Sequence, residues 1–73
     1  MKELFEAICR IKSTDEAARF FRDLLTISEL KEFANRWQVV QLLYEGRTYE
    51  AIAKRLMIST ATVTRVAHWL HHG

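Results

Sequence analysis

Residues 55–70, RLMISTATVTRVAHWL, place several hydroxyl side chains and Arg65 where the pattern predicts the first turns of a helix. Thr is a weaker helix former than Ala, Leu or Lys, so helix propensity does not account for these residues. Short Thr and Ala side chains let a helix approach the edges of DNA bases, and Arg can donate two hydrogen bonds to guanine. The stretch therefore predicts a helix that contacts DNA.

The preceding residues complete the spacing of a helix-turn-helix motif. Thr48 can cap a short helix that ends at about Leu56, and Ile52 and Leu56 face inward on it. Ala53 is small enough to lie where two helices cross closely. Met57 occupies a turn position where such motifs usually have glycine, and a non-glycine residue with positive φ would be strained there. This departure predicts either an adjusted turn or a first helix that runs on by one residue.

The second helix of the motif is predicted from Thr60 to about His71, with Ser59 as its cap. Its buried stripe consists of Val63, Val66, Ala67 and Leu70. The residues predicted to face DNA bases are Ser59, Thr60, Ala61, Thr64, Arg65 and His68. The residues predicted to hold phosphates are Arg47, Lys54 and Arg55.

The charge distribution agrees with a polyanionic partner. The chain has a formal net charge of +2, and its first 35 residues are nearly balanced. After residue 35 the basic side chains are Arg36, Arg47, Lys54, Arg55 and Arg65, against the acidic Glu45 and Glu50. This excess favours double-stranded DNA as the partner, although a solvated basic surface remains an alternative.

Length and composition limit the class of protein. A chain of 73 residues allows one domain with a small core, and its single cysteine allows no internal disulfide. Cys9 is expected to be a small core residue. No run of about 20 apolar residues or signal peptide is present, so a cytoplasmic protein is predicted. No catalytic triad or glycine-rich phosphate loop occurs, and an enzyme is not expected.

The rest of the chain predicts an all-α fold, because strand alternation is absent and there is no proline. The first helix is expected from about Lys2 to Lys12. Ser13 with Glu16, and Thr26 with Glu29, have capping-box spacing and start a second and a third helix. Gly46 is placed to end the third helix after about Glu45.

The third helix is apolar on two sides. One stripe is Val39, Leu42 and Leu43, and the other is Leu30, Phe33, Ala34, Trp37, Val40 and Tyr44. Either this helix lies at the centre of the other four, or it meets its symmetry mate in an intertwined homodimer. The lack of disulfides favours the homodimer. Residues 1–45 are then dimerisation helices and residues 46–73 the helix-turn-helix, within one domain.

Two further groups of residues have more than one interpretation. His68, His71 and His72 have spacings that could suit a metal, but no cysteine or carboxylate lies nearby in sequence, so no metal site is predicted. Arg36 can pair with Glu32 or Glu29, or it can contact a ligand. Trp37 and Trp69 are most simply core or interface anchors.

The segments LLTISEL, RWQVVQLLYEG and STATVTRV make the chain resemble the tryptophan repressor family, most strongly from Leu24 to Leu70. The resemblance implies an intertwined homodimer whose two helix-turn-helix heads bind an operator and repress transcription. It also implies a tryptophan corepressor at positions matched by Thr26, Arg36 and Arg65. Two pocket positions depart from the family pattern, because Val66 replaces a glycine and Trp69 replaces a serine. Both side chains would fill the cavity, so no tryptophan cofactor is expected.

Two alternatives to a sequence-specific regulator remain open at this stage. The helix pair could instead dock on another protein through its apolar surface, or the chain could be a nonspecific architectural DNA-binding protein. Steep loss of binding with rising salt separates DNA binding from apolar docking. A preferred site separates a regulator from an architectural protein.

Overall fold

The computed structural model describes residues 1–72, which form five α-helices and no strand. The helices are α1 (Lys2–Cys9), α2 (Thr14–Leu24), α3 (Ile27–Tyr44), α4 (Tyr49–Leu56) and α5 (Thr60–His72). The predicted all-α fold is therefore confirmed. No helix within the described residues is both long and apolar enough to cross a lipid bilayer.

The start of α3 is the capping box that the sequence predicts. The Glu29 backbone N–H donates to Thr26 Oγ1 at 3.1 Å, and the Thr26 N–H donates to Glu29 Oε1 at 2.9 Å. Each side chain satisfies a backbone donor that the helix itself leaves without a partner.

The start of α2 departs in part from its prediction. Ser13 Oγ accepts from the Glu16 N–H at 3.1 Å, as expected for a cap. The Glu16 carboxylate accepts from the Lys12 N–H at 3.3 Å, one residue before the predicted donor. The carboxylate thus fixes the backbone that enters the helix, so only half of this capping box forms as predicted.

Two expectations for α1 are wrong. The helix ends at Cys9 and does not continue to Lys12, because the Arg10 and Ile11 N–H groups bond three residues back, to Ala7 and Ile8. Such bonds tighten and end a last turn. Cys9 is exposed, and it is not a core residue. The physical reason is that residues 1–30 contain no buried side chain against which Cys9 could pack.

The backbone from Lys31 onward forms one compact unit. The end of α3 lies within it and is a Schellman motif, in which the Gly46 N–H donates to Leu43 O and the Arg47 N–H to Leu42 O. This ending requires the left-handed backbone of Gly46, whose φ is +81°. Gly46 therefore ends α3 as predicted and turns the chain towards α4.

The core of this unit combines α3, α4 and α5. Its buried residues are Val39, Leu42, Ile52, Ala53, Val63 and Val66, with Val40, Leu43, Leu56 and Ile58 partly buried around them. Ile52, Val39 and Val63 are the largest fully buried side chains. One stripe of α3 thus supplies this core, and the predicted inward face of α4 is confirmed.

Residues 1–30 form a second compact unit with a different character. Ala7, Ile8, Phe20 and Phe21 are only partly buried, and no side chain of this unit is fully buried. Phe5 is 56% and Leu24 58% exposed. These helices therefore lack a core of their own within a single chain.

Candidate nucleic-acid interface

The turn between α4 and α5 is short and uses a left-handed residue. Met57 has φ 58° and ψ 45°, and its N–H donates to Ala53 O. The Ile58 N–H donates to the same oxygen at 3.0 Å. The expectation of an adjusted turn or a longer helix is therefore wrong: α4 ends at Leu56, and Met57 adopts the left-handed conformation at a cost of about 1–2 kcal/mol. Met57 itself is 91% exposed, so side-chain packing does not offset the strain.

Side-chain caps fix the start of both helices of the pair. Thr48 Oγ1 accepts from the Ala51 N–H at 3.1 Å, and Ser59 Oγ accepts from the Thr62 N–H at 3.1 Å. Both predicted caps are therefore present. The Ser59 and Thr62 hydroxyl oxygens also lie 3.0 Å apart, within hydrogen-bond distance, so the Ser59 side chain stabilises the first turn of α5.

Burial divides α5 into two faces. Val63, Val66 and Ala67 are buried, whereas Leu70 is only partly buried. All the residues predicted to meet bases are exposed: Ser59, Thr60, Ala61, Thr64, Arg65 and His68. The sequence pattern therefore identified the outward face of α5.

Thr64 is less free than the sequence suggested. Its hydroxyl donates to Thr60 O at 2.9 Å, one turn back along α5. This bond occupies the hydroxyl proton, so Thr64 can present its methyl group and an accepting oxygen but not a second donor. Sequence spacing could have indicated this bond, because Thr in a helix commonly bonds four residues back.

The basic side chains of this unit differ in their partners. The distance from a guanidinium nitrogen to a carboxylate oxygen is 3.5 Å between Arg47 and Glu45, and 4.0 Å between Arg36 and Glu32. Glu32 was one of the two acidic partners expected for Arg36. Lys54, Arg55 and Arg65 have no ion pair within residues 1–72, and all three are exposed. Their charges are therefore available to an anion.

A small cavity lies between α3 and α5 within the unit that begins at Lys31. Its volume is about 220 Å³, and its lining includes Arg36, Arg65, Val66 and Trp69. The Arg36 guanidinium lies over the Trp69 ring, 5.4 Å from its centroid. This is a cation–π contact. No local pattern pairs two residues so far apart in the chain, and only the family resemblance placed Arg36 and Trp69 at the same pocket.

Two of the three residues matched to a ligand by resemblance belong to one cavity. Arg36 and Arg65 line the same cavity. Thr26 belongs to the unit of residues 1–30, and its hydroxyl accepts the Glu29 N–H in the cap of α3. A structural role thus accounts for Thr26. Within residues 1–72 no group of three or more His, Cys, Asp or Glu side chains could hold a metal ion.

Comparison with known proteins assigns the family. The model of the family described as Trp repressor protein matches residues 1–73. The uncharacterized protein YerC of Bacillus subtilis (strain 168) is 41% identical over 73 residues, which are 100% of this chain and 70% of YerC. The crystal structure of a TrpR-like protein from Eubacterium eligens ATCC 27750 has a TM-score of 0.89 at 43% identity, covering 99% of this chain and 74% of that chain. The crystal structure of a candidate Trp repressor from Staphylococcus aureus has a TM-score of 0.88 at 38% identity, covering 99% of this chain and 72% of that chain. This chain therefore belongs to the Trp repressor protein family.

Proposed function

We propose that this protein is a homodimeric transcriptional repressor that binds specific double-stranded DNA through α5. The Trp repressor family is a family of regulatory DNA-binding proteins and not of enzymes. The observation that carries the proposal is the outward face of α5. Its hydroxyl, methyl and guanidinium groups are exposed, while the opposite face is buried in the core.

The start of α5 has three features that suit a DNA groove. Thr60 and Ala61 are short, so the helix axis can approach the base edges closely. The free N–H groups and the positive end of the helix dipole favour a nearby phosphate. Arg65 lies one turn further along, is exposed and has no acidic partner among residues 1–72, so it can donate to a guanine or a phosphate.

Phosphate contacts supply affinity in this proposal, and base contacts supply specificity. Lys54 and Arg55 lie in the last turn of α4, immediately before the turn that leads to α5. Arg47 precedes α4 and would exchange its Glu45 partner for a phosphate. Each phosphate neutralised by these side chains adds to the salt dependence of binding.

A second copy of the chain is the proposed cover for the apolar surface that a single chain leaves open. Trp37 is 61% and Tyr44 78% exposed on α3, and Leu24 and Phe5 are more than half exposed in the preceding helices. Exposed apolar side chains in this number mark an interaction surface. A symmetric dimer would bury the same surface on both copies and set two α5 helices at a fixed separation.

The proposed repressor does not require tryptophan. The cavity of about 220 Å³ is smaller than the roughly 300–1,000 Å³ typical of small-molecule sites. Trp69 lies on its wall and already holds the Arg36 guanidinium through its ring. We expect isothermal titration of the full chain with tryptophan to give no saturable heat. Clear saturable heat would contradict this part of the proposal.

Selection from a random pool of double-stranded DNA tests the proposed function. We expect a palindrome whose half-site centres lie about one helical turn apart, as two linked recognition helices require. Binding with a steep salt dependence but no enriched sequence would instead support an architectural protein. Absence of any DNA binding would contradict both and favour docking on another protein.

A further inference from the structure

We propose that the C-terminal end of α5 carries a two-histidine chelating site for a divalent transition-metal ion of the zinc, nickel or copper class. The site consists of His68 and His72, which are four residues apart on one exposed face of the helix. Their ring centroids are 4.7 Å apart and the ring planes are inclined by 35°. The proposed role of α5 in DNA binding is not a premise of this inference.

The ring separation fits a shared ion. A zinc–nitrogen bond is about 2.1 Å long, so two imidazoles in a tetrahedral shell have their bonded nitrogens roughly 3.4 Å apart. Rings that direct one nitrogen each at such an ion have centroids about 5 Å apart. The observed separation of 4.7 Å is close to this value, so rotation of the two side chains can direct one nitrogen of each ring at a shared ion. Two histidines at this spacing on a helix form the basis of a known zinc-binding motif.

The described residues around the pair favour a cation. His72 is the last residue of α5, so the negative end of the helix dipole lies at the site. No acidic residue occurs in α5, and neither histidine forms an ion pair within residues 1–72. Both rings are exposed, so water can occupy the remaining coordination positions.

The third histidine distinguishes a defined site from a merely histidine-rich helix end. His71 is exposed like the other two, but the ring contact joins only His68 and His72. His71 therefore provides a matched control with the same chemistry, the same helix and nearly the same distance from the end. An ion held between His68 and His72 would tie the last turn of α5 to the turn before it.

Thermal unfolding of the full chain in Zn²⁺ tests the proposal. We expect excess Zn²⁺ to raise Tm by about 4 °C or more, because an ion that binds only the folded state stabilises it. His68→Ala or His72→Ala should abolish the rise, and His71→Ala should retain it. Mg²⁺, which prefers oxygen ligands, should have no effect.

Two controls separate this site from other sources of zinc binding. Cys9 is an exposed thiol, so the rise in Tm must persist in Cys9→Ser. Imidazole nitrogen resonances in NMR spectra should shift for His68 and His72 but not for His71. The proposal is wrong if Zn²⁺ leaves Tm unchanged, if Cys9→Ser removes the effect, or if His71→Ala removes it as completely as His72→Ala.

Discussion

The two compact units of this chain differ in whether they bury their apolar side chains within one chain. All the buried hydrophobic residues among residues 1–72 lie from Val39 onward, where α4 and α5 pack with the end of α3. Residues 1–30 have no buried side chain although they carry Leu4, Phe5, Phe20, Phe21 and Leu24. The same kind of amphipathic helix thus forms a core in one unit and an open apolar surface in the other.

In the proposed function the two units have different roles. The unit from Lys31 onward can use its buried residues to hold α5 in place and leave its outward face for DNA. The unit of residues 1–30 has apolar surface that requires a cover, for which we propose a second copy. The stability of the unit from Lys31 onward depends on the core within one chain. The stability of residues 1–30, if a second copy covers them, depends on protein concentration.

Ile52→Ala is expected to have the largest effect, because Ile52 is only 1% exposed at the centre of the core. Removing its side chain leaves a cavity and should lower the free energy of unfolding by about 4 kcal/mol. Urea unfolding followed by circular dichroism measures this loss. Ile52→Val removes one methylene and should cost only about 1 kcal/mol. Equal, small losses for both variants would show that the core does not hold α4 as described.

Phe5→Asp should weaken dimerisation with little effect on the core of the other unit. Phe5 is 56% exposed in α1, and both copies would lose it from the proposed interface. We expect dimer affinity to fall by about 3 kcal/mol, more than ~100-fold. Unfolding curves at several protein concentrations measure the change. Glu6→Ala, at the next position, should leave those curves unchanged; equal behaviour of the two variants would argue against this interface.

Arg65→Ala should lower affinity for the selected DNA by about 1–3 kcal/mol, or roughly 5- to 150-fold, without loss of helix content. The guanidinium is exposed and forms no ion pair in the described part of the chain, so its removal leaves no buried group without a partner. Fluorescence anisotropy with labelled DNA measures the affinity. Arg22→Ala removes the same charge from the unit of residues 1–30 and should have little effect. Unchanged affinity in Arg65→Ala would remove this residue from the interface.

The smallest effects concern the two left-handed residues that end α3 and α4. Met57→Gly should stabilise the protein by about 0.5–1 kcal/mol, since glycine adopts φ 58° without strain. Gly46→Ala should destabilise it by about 1 kcal/mol, although a Cβ there meets no atom within 4 Å. Thermal unfolding compares both variants with the wild type. If both variants shifted Tm in the same direction, the backbone φ would not determine the stability of these two helix ends.

Local chemistry allowed much of this fold to be predicted. The caps at Thr26, Thr48 and Ser59 and the glycine ending at Gly46 follow from side-chain oxygens and backbone freedom at fixed spacings. Such interactions join residues a few positions apart, so one sequence contains the information they need.

The errors and omissions concern what lies beyond a local segment. Cys9 lies in an apolar helix, but the sequence pattern could not show whether the residues that cover this helix come from the same chain. The contact of Arg36 with Trp69 joins two helices that are far apart in sequence, so local spacing does not predict it and only the family resemblance brought the two residues to one pocket. The hydrogen bond that occupies the Thr64 hydroxyl changes its chemistry without changing its exposure. The assigned roles in DNA binding stay predictions until they are measured.

Sedimentation equilibrium of the full chain over a range of concentrations tests the contrast between the two units most directly. If a second copy covers residues 1–30 and the exposed stripe of α3, the protein sediments as a dimer at micromolar concentration. Its helix content should then fall on dilution as the dimer dissociates. A chain that sediments as a monomer and keeps its full helix content on dilution would contradict the proposed cover and the paired α5 helices that depend on it.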